Sequence, residues 1–173
     1  MRLVYLDTGL TLLLCFIVWF ILLTGAARLC LLIPGRFLKT DRWLFRTRRF
    51  EDGGHFYERV FMIKTWKHLL PDGAAISRSG YAKRHINDFS IPNLERFLVE
   101  SCRRELTHWI PLLLFWVFGF FVPPGVILLM LLYALVTNLP CIIAQRYNRP
   151  RIKRIIHKIE TKNELGKEMN APE

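Results

Sequence analysis

The chain has 173 residues, of which 52% are hydrophobic, and carries 25 Lys and Arg against 14 Asp and Glu for a formal net charge of +11. Leu106 to Gln145 contains no Asp, Glu, Lys or Arg in forty positions, and an uncharged run of that length excludes a soluble globular domain. The basic residues flank the apolar stretches without any zinc-finger or RNP-like motif, so phospholipid headgroups, and not nucleic acid, are the expected counter-charge.

The first predicted element is an N-terminal transmembrane helix. Thr8 to Ala27 are uncharged and lie between Asp7 and Arg28; twenty residues at 1.5 Å each span about 30 Å, the hydrocarbon thickness of a bilayer. The small residues Gly25, Ala26 and Ala27 also fit a signal-peptidase site, so both a retained and a cleaved helix are open.

Residues 36–105 form a mixed polar stretch in which Trp43, Phe45, Phe50, Phe56, Phe61 and Trp66 are interleaved with Arg and Lys. Rings at headgroup depth and cations on phosphate are what a membrane interface accommodates, and an interfacial cytoplasmic region is expected here. Pro71, Asp72 and Gly73 mark a turn, and Pro92 precedes a helical run with Leu94, Phe97, Leu98 and Cys102 on one face.

The apolar block at 106–145 is interrupted by Pro123, Pro124 and Gly125, which predicts a transmembrane hairpin of two crossing helices, Leu106–Val122 and Val126–Ala144. The tail, 146–173, puts Ile152, Ile155, Ile156 and Ile159 on one stripe with basic residues opposite, an amphipathic surface helix. The middle segment and tail hold 23 of the 25 basic residues and the hairpin turn none, so the positive-inside bias places the middle segment and the tail in the cytoplasm, with three crossings. The expected fold is an all-α membrane protein in one integrated domain, divided into 1–35, 36–105, 106–145 and 146–173.

A hairpin brings the start of its first arm and the end of its second to one membrane level. Glu105 and His108 share a helical face at one end, in a spacing that lets the carboxylate orient the imidazole as a general base. Asn138 lies some 10 Å inside the apolar run, where a polar side chain either joins the site or bonds across the hairpin. Gln145, Arg146, Tyr147, Asn148, Arg149 and Arg151 close the other end, as substrate-binding groups or as ordinary interfacial anchors. A second constellation comprises Trp66, Lys67, His68 and Asp72; the His68–Asp72 spacing of four suits a base for acyl chemistry, and it also occurs by chance. Cys15, Cys30, Cys102 and Cys141 lie at unrelated spacings and suggest neither a metal site nor a disulfide framework. GxSxG, P-loop, GxGxxG and HExxH motifs are absent, which sets aside nucleophile-elbow hydrolases, NTPases and zincins.

Through Trp66-Lys67-His68, Asp72-Gly73, Arg84-His85, Arg104-Glu105-Leu106, His108-Trp109-Ile110, Asn138, Pro140 and above all the run Gln145 to Arg151, the sequence resembles the glycosyl-4,4'-diaponeurosporenoate acyltransferases. These are small bacterial membrane proteins that complete staphyloxanthin-type carotenoids. The resemblance covers residues 30–155. It implies a multi-pass cell-membrane enzyme that transfers a fatty acyl group to the glucose C6 hydroxyl of a glycosylated C30 carotenoid acid. No bound cofactor is expected, and the co-substrate is an acyl thioester of coenzyme A or an acyl carrier protein. Partner enzymes of the same pathway fit as well. Two other readings stay open: an acyltransferase for a different glycolipid, and a non-enzymatic membrane scaffold.

Overall fold

A computed structural model describes residues 3–70 and 90–169 of the chain. Among these the regular structure is helical throughout, with no strand: α1 (Thr8–Leu32), α2 (His55–Phe61), α3 (Ile63–Trp66), α4 (Ile91–Leu113) and α5 (Pro124–Met169), with 3-10 turns at Gly35–Phe37, Arg49–Gly54, Lys67–Leu69 and Phe115–Phe120. Asp72, Arg84 and His85 lie outside the described residues. The chain divides into two units, one of residues 1–37 and 103–143, the other of residues 38–102 and 144–173.

In the first unit α1 begins where the Asp7 carboxylate accepts the Leu10 amide at 3.0 Å, satisfying one of the donors that a helix start leaves open. It runs five residues past the expected end at Ala27, to Leu32, and stops before Pro34, which disfavours helix at the residue ahead of it. Arg103 closes that end by donating to the carbonyls of Cys30 and, at 2.9 Å, of Ile33. Thr24 sits within the apolar helix at no cost in unpaired polarity, because its hydroxyl donates to the Phe20 carbonyl at 2.7 Å.

Cys15, Trp19, Leu112, Phe118, Phe121, Val122, Ala134 and Ile142 form the core of this unit. The Trp19 ring stands edge-on to Tyr133 at 5.0 Å between centroids and tilted to Phe118 at 5.7 Å, separations at which aromatic pairs attract beyond their buried area. The outward face is apolar as well, with Phe16, Phe20, Leu128, Leu132 and Val136 exposed. Two helices, α1 and α5, are long and apolar enough to cross a membrane. Their largely exposed apolar sides call for lipid as solvent, whereas the apolar helices of a soluble core are covered.

The first hairpin arm departs from the expected helix over Leu106–Val122. It is α-helical only to Leu113 and continues as a 3-10 turn over Phe115–Phe120. Pro111 lies inside the last α turn, and the aromatic and β-branched residues that follow are weak helix formers whose rings are claimed by the core. The reversal falls at the expected place, with Pro124 as the first residue of α5, a position that needs no amide donor.

α5 passes Gln145 without a break and runs for 46 residues, about 70 Å. Pro140 and Pro150 each remove one main-chain hydrogen bond without ending it, as packing holds the helix on either side of both. In the second unit Ile152 and Ile156, with Ile155 and Ile159 beside them, pack on Leu94 and Phe97 of α4, flanked by Ile91 and Leu98. The apolar stripe of the tail is therefore covered by protein, where the sequence suggested a membrane surface.

Candidate active site

Within the first unit, His108 of α4 meets Asn138 of α5, Nδ1 to Oδ1, at 3.0 Å. Asn138 is 1% exposed, and its amide is oriented by its own bonds: Nδ2 donates to the Ala134 carbonyl at 3.0 Å and to the Thr137 hydroxyl oxygen at 3.1 Å. Thr137 spends its proton on the Tyr133 carbonyl at 2.8 Å, leaving its oxygen free to accept. The atom that faces His108 is thus a carbonyl oxygen, which accepts only. Nδ1 must carry the hydrogen, and in the neutral ring Nε2 keeps its lone pair. An imidazole held in that tautomer has a nitrogen able to accept a proton, and it is oriented by an amide as other imidazoles are oriented by a carboxylate.

The expected partner, Glu105, is placed otherwise. Its Oε1 accepts the indole hydrogen of Trp109 at 3.1 Å, one turn along the same helix, and the residue is fully buried. A spacing of three puts Glu105 and His108 on neighbouring rows, but rotation of α4 in its packing turns the imidazole to α5 and the carboxylate to Trp109. Orientation of His108 comes from Asn138, and Glu105 holds the indole.

The second unit gathers the run after Gln145 against residues 44–58. Arg146 pairs with the buried Glu51 at 2.6 Å and donates to the Leu44 carbonyl at 2.6 Å. Arg149, 2% exposed, donates to the Phe45 carbonyl at 2.6 Å, with its guanidinium over the Phe45 ring. Tyr147 donates to Glu58 at 2.8 Å, and the cations of Lys67 and Arg151 lie 5.0 and 4.9 Å from its ring centre. Arg151 also reaches Glu58 at 2.9 Å, and Lys64 does so at 2.8 Å. The hydrogen bonds from Lys64 and then Tyr147 hold the Glu58 carboxyl down to about 2. Burial pushes the neighbouring Tyr57 phenol up to about 12.

Arg146 and Arg149, candidates for the substrate, hold loop backbone and, for Arg146, a buried carboxylate. Asn148 is half-buried on the same turn. Trp66 donates its indole hydrogen to the Phe61 carbonyl at 2.7 Å, and His68 is exposed. The pairing of His68 with Asp72 falls outside the described residues. Glu51 and Glu58 escaped the sequence reading; their signal was two acids, seven apart, in a strongly basic neighbourhood.

Residues 41–158 match the family model described as glycosyl-4,4'-diaponeurosporenoate acyltransferase. The chain belongs to this family. Proteins of that name from Staphylococcus aureus are similar over 150 residues, 87% of this chain and 90% of theirs: the one from strain MRSA252 is 33% identical, and those from bovine strain RF122 / ET3-1 and strain Newman are each 32% identical. No solved structure matches the chain. The chain is accordingly an acyltransferase. Membership in the glycosyl-4,4'-diaponeurosporenoate acyltransferases also sets the scaffold reading aside.

Proposed function

We propose that this chain is a multi-pass membrane acyltransferase that esterifies a fatty acyl group onto the C6 hydroxyl of glucose carried by a C30 carotenoid acid. The acyl donor is a thioester, and the basic regions face the cytoplasm. Family membership supports the substrate class, and the apolar exterior of the first unit suits a polyene that dissolves in lipid. On the second unit Trp43, Phe50, Met62 and Leu69 are exposed, a set of side chains suited to headgroup depth.

The observation that carries the mechanism is the His108–Asn138 pair. His108 Nε2 takes the proton of the sugar hydroxyl as its oxygen attacks the thioester carbonyl. The carbon–sulfur bond then breaks, the ester forms, and the imidazolium returns the proton to the departing thiolate. Asn138 holds the ring through both proton transfers and touches no reacting atom, which makes it a positioning residue.

The test is purified full-length protein in detergent, given the glucosylated carotenoid acid and a labelled fatty acyl thioester, with the product identified by mass. Acyl transfer to glucose is expected, and His108→Ala should lower it by about 100- to 10,000-fold. Absence of the ester, or a fully active His108→Ala protein that inserts normally, would overturn the reading.

A further inference from the structure

On α5 the two turns from Arg151 to Lys158 carry Arg151, Lys153, Arg154 and Lys158 with no acidic residue among them. Beyond Lys158 the sign is mixed, with Glu160, Lys162 and Glu164 in succession. Lys153, Arg154, His157 and Lys158 are all exposed, because the isoleucine stripe on the opposite side of the helix is packed against Leu94 and Phe97. Arg154 is fixed by donating to the carbonyl of Gly53. Lys153 and Lys158 have no ion-pair partner among the described residues. Across Lys153, Arg154, His157 and Lys158 the face is thus cationic, with no acid paired to either lysine among the described residues.

Its height above the apolar stretch decides what it meets. The last residue of that stretch is Ala144; Lys153 follows nine residues later, about 13 Å along the helix, and Lys158 about 21 Å along. A headgroup layer is only about 5–8 Å deep. At a tilt of about 40°, at the limit of what spanning helices show, Lys158 stands about 16 Å out, clear of the phosphates, and Lys153 about 10 Å out, just beyond them. The isoleucine stripe that would have laid this helix flat on lipid is already occupied. A cationic face standing in water beyond the headgroups suits a soluble acidic protein, with charge steering the encounter.

We propose that the face of α5 formed by Lys153, Arg154, His157 and Lys158 docks an acidic acyl carrier protein, which delivers the fatty acyl thioester. The inference rests on the acyltransferase reading above and narrows its donor from thioesters in general to a protein-borne one. The carrier's acidic surface pairs with the lysines, and the acyl chain travels on a prosthetic arm that the face itself need not touch.

The experiment uses the full chain in nanodiscs of neutral phosphatidylcholine, with fatty-acylated acyl carrier protein as one probe and the matching acyl coenzyme A as the other. Lys153→Glu combined with Lys158→Glu should weaken carrier binding at least tenfold and raise KM for the carrier thioester to match, with kcat unchanged and KM for acyl coenzyme A within twofold. Wild-type binding should also weaken as salt rises. Unchanged carrier binding in the double variant overturns the inference. So does an equal loss with both donors, and so does an effect confined to discs containing phosphatidylglycerol, which would assign the face to lipid. The binding arm needs no turnover: a carrier that docks on the lysines without acylation of the glucosylated carotenoid sinks the substrate reading and leaves the docking face standing.

Discussion

Replacing Asn138 by leucine removes the oxygen that faces His108 while keeping the same number and branching of side-chain heavy atoms, so the change opens no cavity and falls on the hydrogen bond. The 3.0 Å contact is made by a residue 1% exposed. A buried hydrogen bond lost on one side costs about 1–3 kcal/mol, and with 1.36 kcal/mol per tenfold the ring's preference for its working tautomer drops by about 5- to 150-fold. We expect kcat for acyl transfer to fall within that span and KM to stay within about twofold. The decisive comparison is a cycle with His108→Ala. If Asn138 acts through the imidazole, Asn138→Leu adds nothing once the ring is gone, and the double variant matches His108→Ala alone. Full activity of Asn138→Leu, or a double variant slower than His108→Ala by the whole factor of the single change, would refute the reasoning.

Three further outcomes concern the second unit. Glu51→Ala removes the carboxylate that balances the largely buried Arg146 and should destabilise the protein by about 3–5 kcal/mol in detergent unfolding, and Glu51→Gln should recover part of that loss, because its carbonyl still accepts from Arg146. The Glu58 carboxyl lies at about 2 in the folded protein and near 4.3 in an unfolded chain. Its contribution is therefore complete above about pH 4.3 and lost as pH falls toward 2, and the stability gap between wild type and Glu58→Gln should close over that window. Gly54→Ala forces a side chain onto φ +104 and puts a Cβ 3.2 Å from the Tyr147 carbonyl oxygen; a loss of about 1–3 kcal/mol is expected in the same assay.

Much of the fold was legible because it rests on local chemistry. The start of α1 at Thr8 follows from a carboxylate ahead of an apolar run, and the reversal at Pro123 and Pro124 from residues that lack a donor. The arm ending at Leu113 was not legible, since there the rings of Phe118 and Phe121 are drawn into a core that a linear reading does not contain. His108 and Asn138 each stood out as polar groups in apolar surroundings. Their partnership did not, because a spacing of three names the residues on one helix face but not the helix that face turns toward. The same limit hid Glu51 and Glu58, whose arginines lie 95 and 93 residues away.

The grip of Arg146 and Arg149 on the segment before α2 is partly taken on peptide oxygens, at Leu44 and Phe45. Every amino acid supplies that oxygen, so position 44 is free to drift in identity with no loss of docking. Arg146 has no such latitude: lysine has a single ammonium where two separate guanidinium nitrogens now reach Glu51 and Leu44. Saturation mutagenesis should therefore find one half of this contact permissive and the other nearly invariant, an asymmetry set by which partner contributes main chain and which contributes side chain.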